Sequence, residues 1–285
     1  MNLDHIWTFL EVAKTGNFNR AAENLNITQS TASARIKALE DRIGHPLLHR
    51  SHSGCELTGS GAQFYQYANG IQRLWQKSQQ SVALEPGFRS VLSIGAQVSL
   101  WESLVIDWMA WLREQMPDVA LRIEADYSPS QMRQLSDGLL DVGIMYQPRN
   151  TPGLVVEKLL EERLVLVGTR KRGVSMDWVE DYVFVDWGDV FLGAHAEAFP
   201  DIKASAVSVG LGALGLQYIL KYGGSGYFPL RIVQSLIDEG RLFKLTGAPV
   251  LVRPAYVVYR NDPLDETVLN TALKGLREIA VHENG

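Results

Sequence analysis

A chain of 285 residues, 46% apolar and 21% charged, has the composition of an ordinary globular protein and the length for about two domains. No run of about 18 or more apolar residues could span a bilayer, and the start MNLDHIWTFLEVAKTG lacks the basic and apolar segments of a secretory leader, so a cytoplasmic protein with no membrane partner is expected. The single Cys55 excludes an internal disulfide and a multi-cysteine zinc site, and the net charge of −5 is uneven: residues 1–90 hold nine Lys/Arg against seven Asp/Glu, residues 91–285 eighteen against twenty-five. Affinity of the N-terminal part for a polyanion must therefore come from charge placement and dimerisation.

Apolar residues at Leu3, Ile6, Phe9 or Leu10 and Ala13 follow the helical period, and Gly16 ends the run. Asn19 is expected to cap a short second helix that buries Ala21, Ala22 and Leu25 and closes at Asn26. Thr28 then caps a third helix with the stripe Ala32, Ile36, Leu39 and Ile43, stopped by Gly44. Three short helices in this space fit a helix-turn-helix, and His45–Leu57, with Pro46 and Gly54, reads as a hairpin wing. From Thr58 to Leu84 a long helix carries Phe64, Ala68, Ile71, Leu74, Trp75, Ser78 and Val82 on one stripe, which points either to pairing with a second copy or to packing on the rest of the chain.

Beyond Pro86-Gly87 strand and helix patterns alternate. Strands are expected at Val91–Ala96, Val119–Ile123 and Val142–Met145, with helices at Leu100–Gln115 and Ser130–Leu135. A second block holds strands at Leu164–Val167, Tyr182–Val185, Ala204–Val209, near Tyr227 and at Leu242–Leu245, with helices Leu211–Tyr222 and Arg231–Glu239. Val250–Tyr259 runs apolar before a final helix through Leu269 and Ala280. This alternation implies parallel sheet with helical crossovers, in two α/β lobes between which the chain passes twice. The expected domains are an all-α winged helix-turn-helix over 1–58, a linker helix and hinge over 59–89, and a two-lobed α/β domain over 90–285. Lobe I takes 90–163 and 262–285, and lobe II takes 164–261.

A third helix whose first turns bear Gln29, Ser30 and Ser33, followed by Arg35 and Lys37, offers amides, hydroxyls and cations to a major groove, while Thr28 and the helix N-terminus suit a phosphate. A merely solvated polar face is the other reading of that pattern. The surrounding segment FLEVAKTGNFNRAAENLNITQSTASARIKALEDRIGHPLLHR, residues 9–50, resembles the signature of LysR-type transcriptional regulators. The resemblance rests on Phe18, Ala21-Ala22, Leu25, Thr28-Gln29-Ser30, Ser33, Ile36, Leu39-Glu40, Gly44, Pro46-Leu47, Arg50 and Leu57-Thr58, and more loosely on Pro117-Asp118 and Gly138-Leu139-Leu140-Asp141.

That resemblance implies a periplasmic-binding-protein-like effector domain and a homo-oligomer, dimer or tetramer, on a promoter inverted repeat. Arg50, Ser51 and His52 at the wing would track the DNA backbone or minor groove, a role the resemblance implies for Arg50, and RNA polymerase is expected as a further partner. A small-molecule effector would bind between the lobes, at loops following strands. The candidates there are Gln97, Ser99, Trp101, Ser128, Tyr146, Trp187 and Phe191, with Ser99 and Ser128 where the family commonly uses a hydroxyl. Each aromatic has core packing as its alternative.

Other motifs carry less. Gly210–Gly215 fits GxGxxG, but Asp238-Glu239 stand at a helix end and not after a second strand, so close helix–strand packing is the better account. Cys55 falls in the wing, remote from a sensing cleft, and Asp186 with Asp189 reads as a polar loop. No catalytic constellation, metal site or cofactor motif stands out, and no enzyme activity is expected. A metabolite-binding protein or enzyme on the two-lobed domain, and an architectural DNA binder without a ligand, remain the alternatives to a ligand-responsive regulator.

Overall fold

The computed structural model describes residues 2–51, 54–82, 87–174, 176–202 and 205–283. The chain divides into two compact units, one of residues 1–84 with 137–139, the other of residues 85–136 with 140–285.

The first unit opens with α1 (Leu3–Thr15), α2 (Phe18–Asn24) and α3 (Gln29–Ile43). Its helix ends follow local chemistry: Gly16 and Gly44 take left-handed φ of 64° and 81° at the ends of α1 and α3, and Thr28 accepts the Thr31 N–H at the start of α3. The cap of α2 is Asn17, not Asn19. Asn17 is extended, and its side chain accepts the N–H groups of Asn19 and Arg20, which already lie inside the first turn. Ile36 and Leu39 of α3 share a core with Ile6, Phe9 and Val12 of α1, Ala32 is also buried, and Ile43 is only partly so.

Two strands, β1 (Leu48–Ser51) and β2 (Gly54–Leu57), form the antiparallel wing. The Glu40 carboxylate of α3 fixes it by accepting the N–H groups of Leu47 at 2.7 Å and Leu48 at 3.1 Å. Cys55 is buried in this hairpin, its N–H donating to the Gly16 carbonyl at 2.7 Å.

The long helix α4 (Gly59–Val82) starts from Thr58, whose hydroxyl donates to the Pro46 carbonyl and accepts the Gly61 N–H. Along its first half Phe64, Tyr65, Ala68 and Ile71 join the core of the unit. Farther along, Leu74 and Trp75 are 55% and 44% exposed, so the stripe leaves its own unit uncovered there.

The second unit contains β3 (Ser90–Ala96), α5 (Ile106–Gln115), β4 (Val119–Ala125), α6 (Ser128–Ser136), β5 (Val142–Met145) and β6 (Leu154–Gly168). It continues with β7 (Val183–Val185), α7 (Asp189–Ala198), β8 (Val207–Val209), α8 (Gly212–Tyr222), β9 (Ser225–Pro229), α9 (Leu230–Asp238), β10 (Phe243–Lys244), β11 (Leu251–Arg260) and α10 (Glu266–Glu283). The main sheet is mixed, in the order β10-β6-β11-β5-β3-β4 with β9 also on β6. Only β3–β4, β3–β5 and β7–β8 pair in parallel among these described strands. Parallel pairing of the expected kind occurs within each lobe, and the main sheet is mixed because the chain crosses between lobes on two long strands, β6 and β11, that run antiparallel over ten register pairs.

These two strands join separate cores. Leu160, Ala255 and Val257 belong to the core of lobe I, whereas Leu164, Val165 and Leu251 belong to that of lobe II. The strand β6 therefore continues through residues 163 and 164, where the sequence placed a lobe boundary. Two further differences are local. The predicted helix Leu100–Gln115 is a 3₁₀ turn at Val98–Leu100, a wider π turn at Trp101–Val105 and then α5, and the stretch after Trp187 is the helix α7 where a loop was expected. No helix among the described residues is long and apolar enough to cross a membrane.

A side chain at Gly61 would run into the Leu47 carbonyl oxygen and crowd Leu57, and backbone gives way poorly. Gly61→Ala is expected to cost the N-terminal unit about 1–3 kcal/mol, measured by urea denaturation followed through amide signals of α1–α3.

Candidate DNA interface and interlobe cleft

On α3 the buried stripe fixes which residues face outward. Thr28, Gln29, Ser30 and Lys37 are exposed and Ser33 is partly so. Gln29 Nε2 donates to Ser33 Oγ at 3.0 Å, an exposed contact one turn apart that orients the amide along the helix. Thr28 Oγ1 is occupied by its cap and lies 2.9 Å from Ser30 Oγ and 2.8 Å from Thr31 Oγ1.

Arg35 is only partly exposed. Its guanidinium turns inward to α1, 3.4 Å from both Asp4 Oδ2 and Thr8 Oγ1, because its place beside the buried stripe puts it over the helix crossing. Arg50 stands in β1 opposite Cys55, and His52 lies outside the described residues.

A cleft of about 450 Å³ opens between the lobes of the second unit. From lobe I come Gln97, Ser99, Tyr127 and Tyr146; from lobe II, Asp186, Trp187, Gly188, Leu211 and Gly212; and Arg253 of β11 completes the wall. Ser99 Oγ lies 2.9 Å from the Tyr146 hydroxyl, and Gln97 Oε1 accepts the Tyr146 N–H at 3.0 Å. Ser128 is buried just behind, accepting the Gln147 N–H at 3.2 Å. Desolvation, reinforced by the Glu162 carboxylate, pushes the Tyr146 phenol well above its ordinary value, so its hydroxyl remains neutral.

Two expected cleft residues are elsewhere. Trp101 packs on the lobe I core with its Nε1 donating to the Ala96 carbonyl at 3.3 Å, and Phe191, on the inner face of α7, is buried in the lobe II core. Trp187 both lines the cleft and anchors itself, its Nε1 donating to the Tyr227 carbonyl at 2.8 Å. Two of the three glycines of the 210–215 segment serve packing: a side chain at Gly212 would collide with the Trp187 ring, and one at Gly215 would come within 2.8 Å of Val185 Cγ2, whereas one at Gly210 would meet open space.

The sequence reading missed a buried ion cluster beneath the cleft. Glu162 of β6 and Arg253 of β11 are register partners where the strands change lobes, and Arg253 Nε donates to Glu162 Oε2 at 3.1 Å while Nη2 donates to the same oxygen. Arg231 of α9 binds the other carboxylate oxygen at 2.7 Å and reaches the carbonyls of Ser99 and of Glu102, the latter at 2.7 Å. The signal was present as charges inside otherwise apolar runs, LLEERLVLV and VLVRPAYVV. His195 is no site residue: it stacks on Tyr182 with Nε2 2.9 Å from that hydroxyl, and burial holds its imidazole below the ordinary value. Among the described residues no group of three or more His, Cys, Asp or Glu side chains is placed to hold a metal.

Residues 3–62 match the model of the bacterial regulatory helix-turn-helix proteins of the lysR family, and residues 86–278 match that of the LysR substrate binding domain. The chain belongs to the LysR family. It is a LysR-type DNA-binding transcriptional regulator with an effector-binding domain. The HTH-type transcriptional regulator HdfR of Escherichia coli O139:H28 is 27% identical over 277 residues, covering 96% of this chain and 97% of that protein. Among solved structures, Vibrio fischeri DarR in complex with DNA is 20% identical with a TM-score of 0.59, over 97% of this chain and 98% of that one. The full-length regulator LysG of Corynebacterium glutamicum with bound effector Arg is 18% identical with a TM-score of 0.57, over 99% of both chains.

For this LysR-type regulator the wing is only as well placed as its carboxylate clamp. Glu40→Ala would strip the acceptor from two backbone N–H groups and is expected to destabilise the unit by about 1–3 kcal/mol, read as a lower unfolding midpoint.

Proposed function

We propose that α3 reads base edges in a major groove through Gln29 and Ser33, while Ser30, Lys37 and Arg50 engage phosphates and Thr28 serves as the helix cap. The observation that carries this reading is the split of α3 into a buried Ala32, Ile36 and Leu39 stripe and an exposed amide, hydroxyl and ammonium face. The exposed Leu74 and Trp75 on α4 support pairing with a second copy, and a two-fold dimer or a tetramer of such units matches an inverted-repeat promoter site.

A small-molecule effector enters the interlobe cleft at Gln97, Ser99, Tyr146 and Trp187, with Ser128 bracing the wall, and changes the grip on DNA by altering lobe closure. The protein acts in the cytoplasm, alongside RNA polymerase at its promoter, and carries no catalytic activity. Asp186 and Asp189 lend no support to an acid pair: Asp186 Oδ1 accepts the Gly188 N–H at 2.8 Å, and Asp189 opens α7.

Gel-shift titration of the full chain on its promoter tests the interface. Gln29→Ala is expected to weaken specific binding by about 1–3 kcal/mol and leave non-specific binding intact. Arg50→Ala should lower affinity evenly across sequences and reduce the salt slope by about one unit. Unchanged affinity in both variants would contradict this assignment.

A further inference from the structure

We propose that the effector is a small carboxylate, held by Arg253 at the base of the interlobe cleft; this rests on the regulatory reading above and names the ligand class of that site. Arg253 lines the cleft yet is only 4% exposed. Its Nε and Nη2 donate to Glu162 and its Nη1 to the Trp187 carbonyl at 2.9 Å. A guanidinium terminal nitrogen carries two N–H groups, so one on each of Nη1 and Nη2 is left without an acceptor among the described residues. The guanidinium carbon lies 3.4 Å from the Tyr146 ring centroid and 4.8 Å from that of Trp187, so these contacts and the ion pair fix the donors before a ligand arrives.

The rest of the wall also offers donors. Leu211 and Gly212 form the start of α8, which has no side-chain cap, so its backbone N–H groups and dipole present positive charge at the cleft, whereas the start of α7 is answered by Asp186 on the Gly188 N–H and by Asp189 in its first turn. The acceptors, in contrast, are engaged: Gln97 Oε1 takes the Tyr146 N–H, and the Ser99 and Tyr146 hydroxyls are paired with each other. Two carboxylates line the same cleft. Asp126 accepts from the Tyr127 N–H and Gln134 Nε2, each at 2.8 Å, and exposed Asp186 accepts from the Gly188 N–H, so both already have donors. A cavity with surplus buried donors is matched by a ligand rich in acceptors, and a planar carboxylate suits a guanidinium. Val98, Tyr127 and Leu211, all partly exposed at the cleft, leave apolar surface for the remainder of the molecule.

The probe is formate, the smallest carboxylate, with formamide as its neutral counterpart and chloride as the ionic-strength control, on the full chain. Formate should raise the melting temperature in a dose-dependent way that neither control matches. A crystal of the wild-type protein grown with formate should place its oxygens within hydrogen-bond distance of Arg253 Nη1 or Nη2. Arg253→Gln should weaken formate at least about tenfold, in line with loss of a charge-assisted hydrogen bond. Equal stabilisation by formamide, an undiminished formate response in Arg253→Gln, or a wild-type crystal with no formate on Arg253 would each overturn the proposal. If Arg253→Gln does not fold, the wild-type crystal decides. Loss of the regulatory reading would show separately, as failure of the same preparation to bind duplex DNA, with the formate result unaffected.

Discussion

The pairing of Glu162 with Arg253 is the constraint on which the effector unit depends. Charged side chains sit where two long strands leave one apolar core and enter another. Burying a carboxylate and two guanidinium groups costs several kcal/mol per ion, offset only by close geometry and full hydrogen bonding. The geometry is close and the carboxylate is fully engaged: each Glu162 oxygen accepts from one arginine, and the arginines add backbone carbonyls of Trp187, Ser99 and Glu102, which leaves one N–H on each of Arg253 Nη1 and Nη2 for a ligand. The carbonyls bound by Arg231 belong to lobe I while α9 belongs to lobe II, so the cluster ties the lobes directly as well as through the strands.

The N-terminal unit solves a different problem with smaller means. Leu48 and Cys55 of the wing and Phe64 and Ala68 of the linker helix share the core of the unit, but the ends of these elements must still be positioned. Single polar groups do this: Glu40 holds the first wing strand, Thr58 joins the wing to α4, and Arg35 bridges α3 to α1. Each is a side chain that satisfies backbone or polar groups left over at an element end, which is why their loss is felt as misplacement of a surface and not only as lower stability.

Much of this was legible in the sequence where local chemistry decides. The period Ala32, Ile36, Leu39 and the stops at Gly16 and Gly44 define helices without reference to the rest of the chain, and strand β5 falls where the apolar run Val142–Met145 puts it. Contacts made by distant residues were not legible. Glu157, Lys158, Glu161 and Glu162 break the apolar pattern of β6, so a single crossing strand read as an interruption followed by a new block. Arg35 looked like a DNA contact because its spacing puts it near the outer face, yet a long side chain there can also reach Asp4 and Thr8. Trp101 and Phe191 followed strand ends as cleft residues should, and the 3₁₀ turn Val98–Leu100 and the start of α7 turned them towards cores.

The most direct test is hydrogen–deuterium exchange of full-length Glu162→Gln against wild type. Loss of the buried charge should lower protection of amides in β6 and β11 on both sides of residue 162, by an amount equivalent to about 3 kcal/mol or more, and leave α1–α3 unchanged. Protection that stays the same, or that falls in one lobe alone, would contradict a junction built on this ion cluster.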